Sequence, residues 1–337
     1  MNQDDAKTKP LVSLIIPAYN VEHYIRRAIC SGLSQTYENI ELLVVDDGSD
    51  DKTWEKIGSY QEEKRFRCFR QVNSGVSKAR NKALSEAKGK YVLFLDADDW
   101  LEENAVERLV ELQQKVLDRL IAVECFYVYK QGNGPERKVR QGVGAHSFSA
   151  STYQSMFLFG PKGRAHVGSS CYKLFSRDVI EQNHLRFDET ISHTEDGLFV
   201  FNYLKNCAGL YYEPIPLWNI LERPGSATTS GYSNKLLSSV DAINKMIAYP
   251  GNSLEITRHL SSFKVHEALR IMEMGFESSR MTEKDYGVLR DTVRGADTKS
   301  LRLSGIDRLR KAVYPNAPRF VSRMLAVAIK SIKARGR

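Results

Sequence analysis

Four short apolar runs, each breaking into a polar cluster and each followed by a helical pattern, constrain this chain more than any other feature. They are LVSLII (11–16) before Pro17-Ala18-Tyr19-Asn20, NIELLVV (39–45) before Asp46-Asp47-Gly48-Ser49-Asp50-Asp51, a shorter run (66–72) before Asn73-Ser74-Gly75, and YVLFL (91–95) before Asp96-Ala97-Asp98-Asp99. Runs of this length without polar alternation suit strands buried on both faces of a mainly parallel sheet. Strands alternating with helices make the fold class α/β. Parallel strands carry all four clusters to one rim, the side where open α/β folds bind ligands. A single cluster reads equally well as turns and caps; four on one rim point to a ligand site.

Local chemistry gives finer expectations. Pro17 ends the first strand because it lacks a donor for the ladder, and Asn20 caps a helix from about Val21 to Leu33. Trp100 and Leu101 open a helix through about Leu117, with Asp99 three residues before Glu102 in a capping-box arrangement. Asp96 and Asp98 then remain to face a nucleotide through a hard divalent cation, which carboxylates and diphosphate oxygens hold together. No G-x-G-x-x-G follows the first strand and no G-x-x-x-x-G-K-[ST] occurs, which argues against a dehydrogenase-type dinucleotide fold and a P-loop.

Further on, Leu120–Tyr129 reads as a fifth strand. Residues 130–145 read either as an acceptor-side lid or as an ordinary insertion. Residues 209–221 carry prolines and read as an edge strand. Glu195-Asp196 precedes a helix from about Gly197 to Leu204, where acids suit the helix dipole and can also do proton chemistry. From about Lys235 the pattern is helical: 236–249, 254–276, 283–293, 301–313 and 318–334. The expected division is a domain over 1–232 and a helical appendage over 233–337.

Charge is uneven. The chain carries +8, yet residues 299–337 hold eleven Lys/Arg against Asp307 alone, so the body is slightly acidic and the tail basic. That disfavours nucleic acid as a general partner and favours a local anionic one. The stripe Val321, Met324, Leu325, Ala328, Ile329 and Ile332 lies among Arg319, Arg323, Lys330, Lys333, Arg335 and Arg337. Such a helix either lies on an anionic membrane or docks on the appendage, and a homo-oligomer contact stays open. Five widely spaced cysteines without C-x-x-C, a polar MNQDDAKTKP start and no membrane-length apolar run lead to an expectation of a cytoplasmic protein, peripheral to the inner face of the membrane if the tail binds lipid.

The series SLIIPAYN, ELLVVDDGSDD, NSGVSKARN and YVLFLDADDW resembles the family 2 glycosyltransferases of GT-A fold, over about residues 11–230. The resemblance implies that Pro17, Tyr19 and Asp46 border the nucleobase, with Asp47 and Ser49 beside them. It places Asn73, Gly75 and Arg80 along the same groove, Asp96 at the ribose and Asp98 on Mn²⁺ or Mg²⁺. Asp196 is similar to the family's catalytic base, with Glu195 as cap, acceptor ligand or orienter. Arg223 and Ser226 match a closing motif over the phosphates. The chain departs from the family at Tyr172, where Asn is common, and at Leu221, where an Arg is common.

The resemblance implies an inverting, metal-assisted, single-displacement transfer from a UDP-sugar to a hydroxyl of a saccharide or lipid-linked glycan in surface polysaccharide synthesis. Two alternatives stand beside it. A sugar-nucleotidyltransferase also uses Asp and Mg²⁺ but wants a glycine-rich triphosphate loop where PAYN stands. A non-catalytic scaffold binding membrane or glycan would not need Asp96, Asp98 and Asp196 together.

Overall fold

A computed structural model describes residues 9–123, 125–130, 135–140, 145–152, 168–223, 231–278, 280–296 and 305–317, with 322, 325 and 326. The chain divides into two compact units, a sheet unit of Met1–Glu189 with Phe199–Arg223 and a helical unit of Thr190–Leu198 with Pro224–Arg337. The sequence places its boundary after residue 232; the helical unit also takes in Thr190–Leu198.

The sheet unit begins with β1 (Val12–Ala18), α1 (Ile25–Leu33), β2 (Ile40–Asp46), α2 (Thr53–Gly58), β3 (Phe66–Arg70), α3 (Val76–Glu86) and β4 (Tyr91–Phe94). It continues with β5 (Trp100–Leu101), α4 (Ala105–Lys115), β6 (Arg119–Ala122), β7 (Cys125–Lys130), β8 (Pro135–Arg140), β9 (His146–Ser149), β10 (Lys173–Ser176) and α5 (Arg177–Gln182). Helix α6 (Glu195–Leu204) precedes β11 (Gly209–Tyr212) and β12 (Pro216–Glu222).

Eight strands form one sheet in the order β3-β2-β1-β4-β10-β6-β11-β9. Strands β1 to β4 are mutually parallel, and β10 runs against both of its neighbours. The 3-2-1-4 order reverses between β1 and β4, which opens a crevice at their carboxyl ends. Helix α1 buries Ile25, Ala28, Ile29 and Gly32, one stripe at helical spacing. A Cβ on Gly32 would stand 2.8 Å from Leu14 Cδ2, so glycine there sets how closely α1 lies on β1.

Beneath β4 the core is aromatic. The Phe187 and Phe199 rings stack at 4.2 Å, and Phe94 meets Phe187 edge-on at 5.3 Å and Phe175 at 5.7 Å. Each buried phenyl contributes about 1.5–3 kcal/mol of transfer free energy, so β4 is anchored just below its acidic end.

Several local expectations change. Pro17 lies inside β1, opposite Val45 of β2 and past the last β1–β4 pair, Ile15 with Phe94. The donor it lacks falls where the ladder has already opened. Asn20 does not cap α1, which starts at Ile25 after Tyr24; it adopts φ +49° and ties the β1 and β2 loops together. Asp99 is not a helix cap either. Trp100–Leu101 form a strand, and α4 starts only at Ala105 after Asn104.

The run 120–129 splits between two sheets: β6 joins the large one and β7 a second of order β5-β12-β7-β8. Residues 209–221 split likewise, and neither β11 nor β12 is an edge. The prolines fall between the strands and at the first position of β12, where no ladder donor is lost. Within 130–145, β7 and β8 pair as an antiparallel hairpin; 131–134 and 141–144 lie outside the described residues.

The helical unit contains a 3-10 turn (Asn234–Leu237), α7 (Ser238–Ile247), α8 (Leu254–Ser278), α9 (Glu283–Arg294) and α10 (Gly305–Val313). Val240, Val265, Leu269, Met272, Phe276, Leu289 and Tyr314 are among its core. Thr282 and Asp285 form a reciprocal capping box on α9. Most of the basic helix expected over 318–334 lies outside the described residues; of it, Ala326 is buried in this core and Leu325 packs against it. Among the described residues no helix is long and apolar enough to cross a membrane.

Candidate active site

The site candidates divide between the units: Pro17 through Asp98 and Arg223 stand on the sheet unit, Glu195 and Asp196 on the helical unit.

On the sheet rim, Tyr19 is 46% exposed just beyond β1 and Pro17 is half-buried. Asp46 is fully buried at the end of β2, where its carboxylate accepts from the Ser49 hydroxyl and pairs with Arg70 Nε at 3.0 Å. Ser49 Oγ in turn accepts from Asn20 N at 3.0 Å. Asp47 accepts from Gln71 Nε2 at 2.8 Å, Ser74 N at 2.9 Å and Gly75 N at 2.8 Å, closing the turn that starts α3. The Asp46 and Asp47 carboxylates are therefore committed to shaping the rim loops. Gly48, at φ +71°, lets that turn approach: a Cβ there would stand 2.7 Å from Asn73 N. Asn73 and Gly75 are exposed beyond β3, and Gly75 takes φ +94° to start α3.

At the end of β4 the acids have separate fates. Asp96 accepts from buried Arg80 at 3.3 Å while its side chain stays 43% exposed. Asp98 accepts from Arg223 Nε at 2.9 Å. Asp99 is buried and accepts from Leu221 N at 3.0 Å. Burial, then the charges of Asp96 and Asp98, push its carboxyl well above the usual range. The β5–β12 pairing, Leu101 with Trp218 and Trp100 with Asn219, brings Leu221 and Arg223 to these acids.

Arg27 was not a sequence candidate. Its guanidinium lies 3.5 Å from the Trp100 ring centroid and donates to Asp98 O at 3.1 Å, and Trp100 packs on Tyr129 at 4.6 Å. Burial lowers the Arg27 pKa while Asp99 and Asp98 oppose that shift. Arg70 was missed as well. Both sit at ordinary surface positions of helical or alternating patterns, and only the fold reveals their partners.

Carboxylate oxygen on Asp96 and Asp98 is the hard donor type that a divalent cation takes. Among the described residues no group of three or more His, Cys, Asp or Glu side chains is placed to hold a metal ion. Mg²⁺ and Mn²⁺ suit such rims because one or two carboxylates share the ion with phosphate oxygens and water.

On the helical unit, Glu195 and Asp196 form the half-buried first turn of α6, two residues earlier than the sequence starts that helix. Burial lowers the pKa of neighbouring His193, opposed by Glu267, aided by Arg270 and opposed by Asp196. Lys173, a lone cation in the sequence, is buried and donates to Ser169 O at 2.9 Å. Tyr172 packs edge-on against Trp218 at 5.4 Å, and Ser226 lies outside the described residues.

This geometry has relatives. The chain is 31% identical over 224 residues to a Bacillus subtilis protein named as the uncharacterized glycosyltransferase EpsJ, covering 66% of this chain and 64% of that one. It is 40% identical over 271 residues to the glycosyltransferase GlyA of Streptococcus pneumoniae, covering 75% of this chain and 36% of that one. The chain thus spans less than two thirds of either relative. Its fold is shared with the S. aureus TarS 1-349 structure in complex with UDP-GlcNAc, at TM-score 0.67 and 18% identity over 95% of this chain and 91% of that one. The model of Glycosyl transferase family 2 matches residues 13–183, the stretch that supplies the whole β1–β4 rim, and the chain belongs to that family.

Proposed function

We propose that this chain is an inverting glycosyltransferase that moves a sugar from a UDP-sugar to a hydroxyl of a saccharide or lipid-linked glycan in surface polysaccharide synthesis. The observation that carries the reading is the acidic end of β4, where Arg80 holds Asp96 and Arg223 holds Asp98 beside the β1/β4 crevice. Family membership and a shared fold with a structure named as a UDP-GlcNAc complex support a nucleotide-sugar donor.

In this reading Pro17 and Tyr19 border the uracil, and Asp46, Asp47 and Ser49 keep the surrounding loops in place. Asn73 and Gly75 line the groove. Arg80 orients Asp96 towards the ribose, and Arg223 passes from Asp98 to the diphosphate oxygens. A Mn²⁺ or Mg²⁺ ion on Asp98 would stabilise charge developing on the departing diphosphate. Asp196 takes the proton of the acceptor hydroxyl as its oxygen bonds to the anomeric carbon and the carbon–diphosphate bond breaks. Attack from the opposite face inverts that carbon, and Glu195 orients the acceptor. The basic residues of 318–337 would let the enzyme work at an anionic membrane face.

The test compares two variants in UDP calorimetry with Mn²⁺ and in UDP release from UDP-glucose, UDP-galactose, UDP-N-acetylglucosamine and UDP-N-acetylgalactosamine. Asp98→Ala should lose both metal-linked UDP binding and turnover. Asp196→Asn should bind UDP normally and lose transfer; equal loss of binding and transfer in both variants would remove Asp196 from the base role.

A further inference from the structure

We infer that Ser238 and Ser239, at the start of α7, are positioning residues for the Glu195–Asp196 pair, so that the helical unit is part of the acceptor-activating apparatus. The inference rests on the reading of Asp196 as the base and adds what holds it.

The segment before α6 is gripped along one side of α7. Ser192 N and His193 N both donate to Ser238 Oγ, at 3.1 and 3.0 Å. Ser238 Oγ donates onward to Lys235 O at 2.7 Å, which fixes the hydroxyl in the orientation that accepts both amides. Thr194 Oγ1 donates to Oγ of fully buried Ser239 at 3.1 Å. Two turns along, Lys245 Nζ donates to Thr190 Oγ1 at 3.1 Å.

The backbone at the end of this grip is strained. Thr194 adopts φ +71°, a left-handed conformation that is a real outlier for a β-branched residue. Its carbonyl accepts from Leu198 N at 3.0 Å and so begins α6. The residue next to Glu195 thus sets the direction in which the first turn, and both carboxylates, leave the segment. Relaxing Thr194 to an ordinary helix-start conformation would swing Glu195 and Asp196 together. The Ser238 and Ser239 hydroxyls, through three contacts at residues 192, 193 and 194, oppose that relaxation, and neither belongs to α6 itself. Strain held in this way next to a candidate base is the pattern of a preorganised group rather than of a helix chosen for stability.

The test uses the full chain with Ser238→Ala, Ser239→Ala, Ser238→Thr and Asp196→Asn. UDP release is measured with whichever of the four UDP-sugars named above the wild type consumes fastest. Ser238→Ala should lower kcat by about tenfold to a hundredfold, the cost of a misplaced catalytic group, without changing donor KM or UDP affinity. Amide hydrogen exchange at residues 192 and 193 should quicken while Val265–Met272 stays protected. Ser238→Thr, which keeps the hydroxyl, should restore turnover.

If Ser238→Ala does not fold, Ser239→Ala carries the same test: lower kcat with unchanged UDP binding supports the inference, and unchanged kcat overturns it. A loss of kcat matched by lost UDP binding, or by faster exchange throughout the helical unit, makes the serines fold-stabilising only and also overturns it. If Asp196→Asn is inactive while both alanine variants are fully active, the base reading stands and the positioning role is gone. If Asp196→Asn retains full activity, the base reading fails and takes this inference with it.

Discussion

Arg223 donates through Nε to Asp98 Oδ2 at 2.9 Å, an ion pair between residues 125 apart in the chain. The pairing of β5 with β12 makes it possible, because the strand that follows the acidic cluster zips onto the strand that ends at Arg223. Each side chain keeps only 20% of its surface exposed, so the pair is partly shielded from water. In the proposed reading a cation at Asp98 would compete with the Arg223 guanidinium for the same carboxylate.

That competition has a measurable sign. Arg223→Ala should tighten Mn²⁺ binding in the absence of nucleotide by about tenfold, the equivalent of one charge-assisted hydrogen bond of roughly 1.5 kcal/mol. The same variant should bind UDP with Mn²⁺ less tightly, as follows from the phosphate contact proposed for Arg223. Calorimetry or electron paramagnetic resonance of Mn²⁺ decides it; weaker free Mn²⁺ binding in Arg223→Ala would show that the arginine supports the cation instead of opposing it.

Asp99 should tolerate amidation. Its carboxyl is raised by burial, by Asp96 and by Asp98, and Asn keeps an oxygen to accept from Leu221 N without the charge that this environment disfavours. A group whose folded pKa is raised above 3.8 contributes stability below that value and loses it as pH rises through the folded one. Asp99→Asn does not titrate, so its stability relative to wild type should improve from acid towards neutral pH. Asp99→Ala strands Leu221 N and should cost about 1–3 kcal/mol. Denaturant midpoints across pH test both, and a wild type that gains on Asp99→Asn with rising pH would mean a charged Asp99.

The contrast between Asp99 and its neighbours shows what was legible in the sequence. The four strands, their rim and the order of polar clusters follow from local apolar runs, which burial on both faces imposes directly. The helices of the last third follow from periodicity; the expected 254–276 and 283–293 are observed as Leu254–Ser278 and Glu283–Arg294. Asp99-Glu102 looked like a capping box because four residues carry that pattern with or without a helix. The partner that turns Trp100–Leu101 into a strand is β12, and no local pattern reports it. For the same reason 120–129 read as one strand, although its halves pair in different sheets. Residues 190–198 group with the helices, and the Ser238, Ser239 and Lys245 side chains that bond to this segment look like ordinary surface residues of α7 in the sequence.

The amino end of the sheet offers a stability prediction independent of the site. Glu41 Oε1 accepts from Ser13 Oγ and Lys88 N, both at 2.6 Å, and from Gly89 N at 3.2 Å. Glu41→Ala leaves buried donors unmatched and should cost about 1–3 kcal/mol. Gly89→Ala should also destabilise, since its Cβ would stand 2.5 Å from Ser13 N. Neither change touches the rim, so UDP affinity of the folded fraction should be unaltered; a selective loss of UDP binding would contradict this separation.

The helical unit has its own charge test in Glu267, buried on α8 and bonded to Arg270 at 2.6 and 2.7 Å. Burial pushes its carboxyl up, but the Arg270 hydrogen bonds and charge, with His193 and His266, bring it below the usual 4.5. A depressed carboxylate contributes stability above its unfolded value and loses it as pH falls through the folded one. Glu267→Gln should therefore be less stable than wild type at pH 7, with the gap closing in acid below 4.5. Arg270 keeps 36% of its side chain exposed, and water screening holds the expected cost at pH 7 to about 1 kcal/mol. Urea midpoints at neutral and acid pH check the sign. A gap that widened on acidification would mean that Glu267 is held protonated, and then it would offer His193 no negative charge. Thr190–Thr194 would in that case depend on the neutral hydroxyls of Ser238 and Ser239 and on Lys245, and losing any one of them should cost more than in a segment also held by charge.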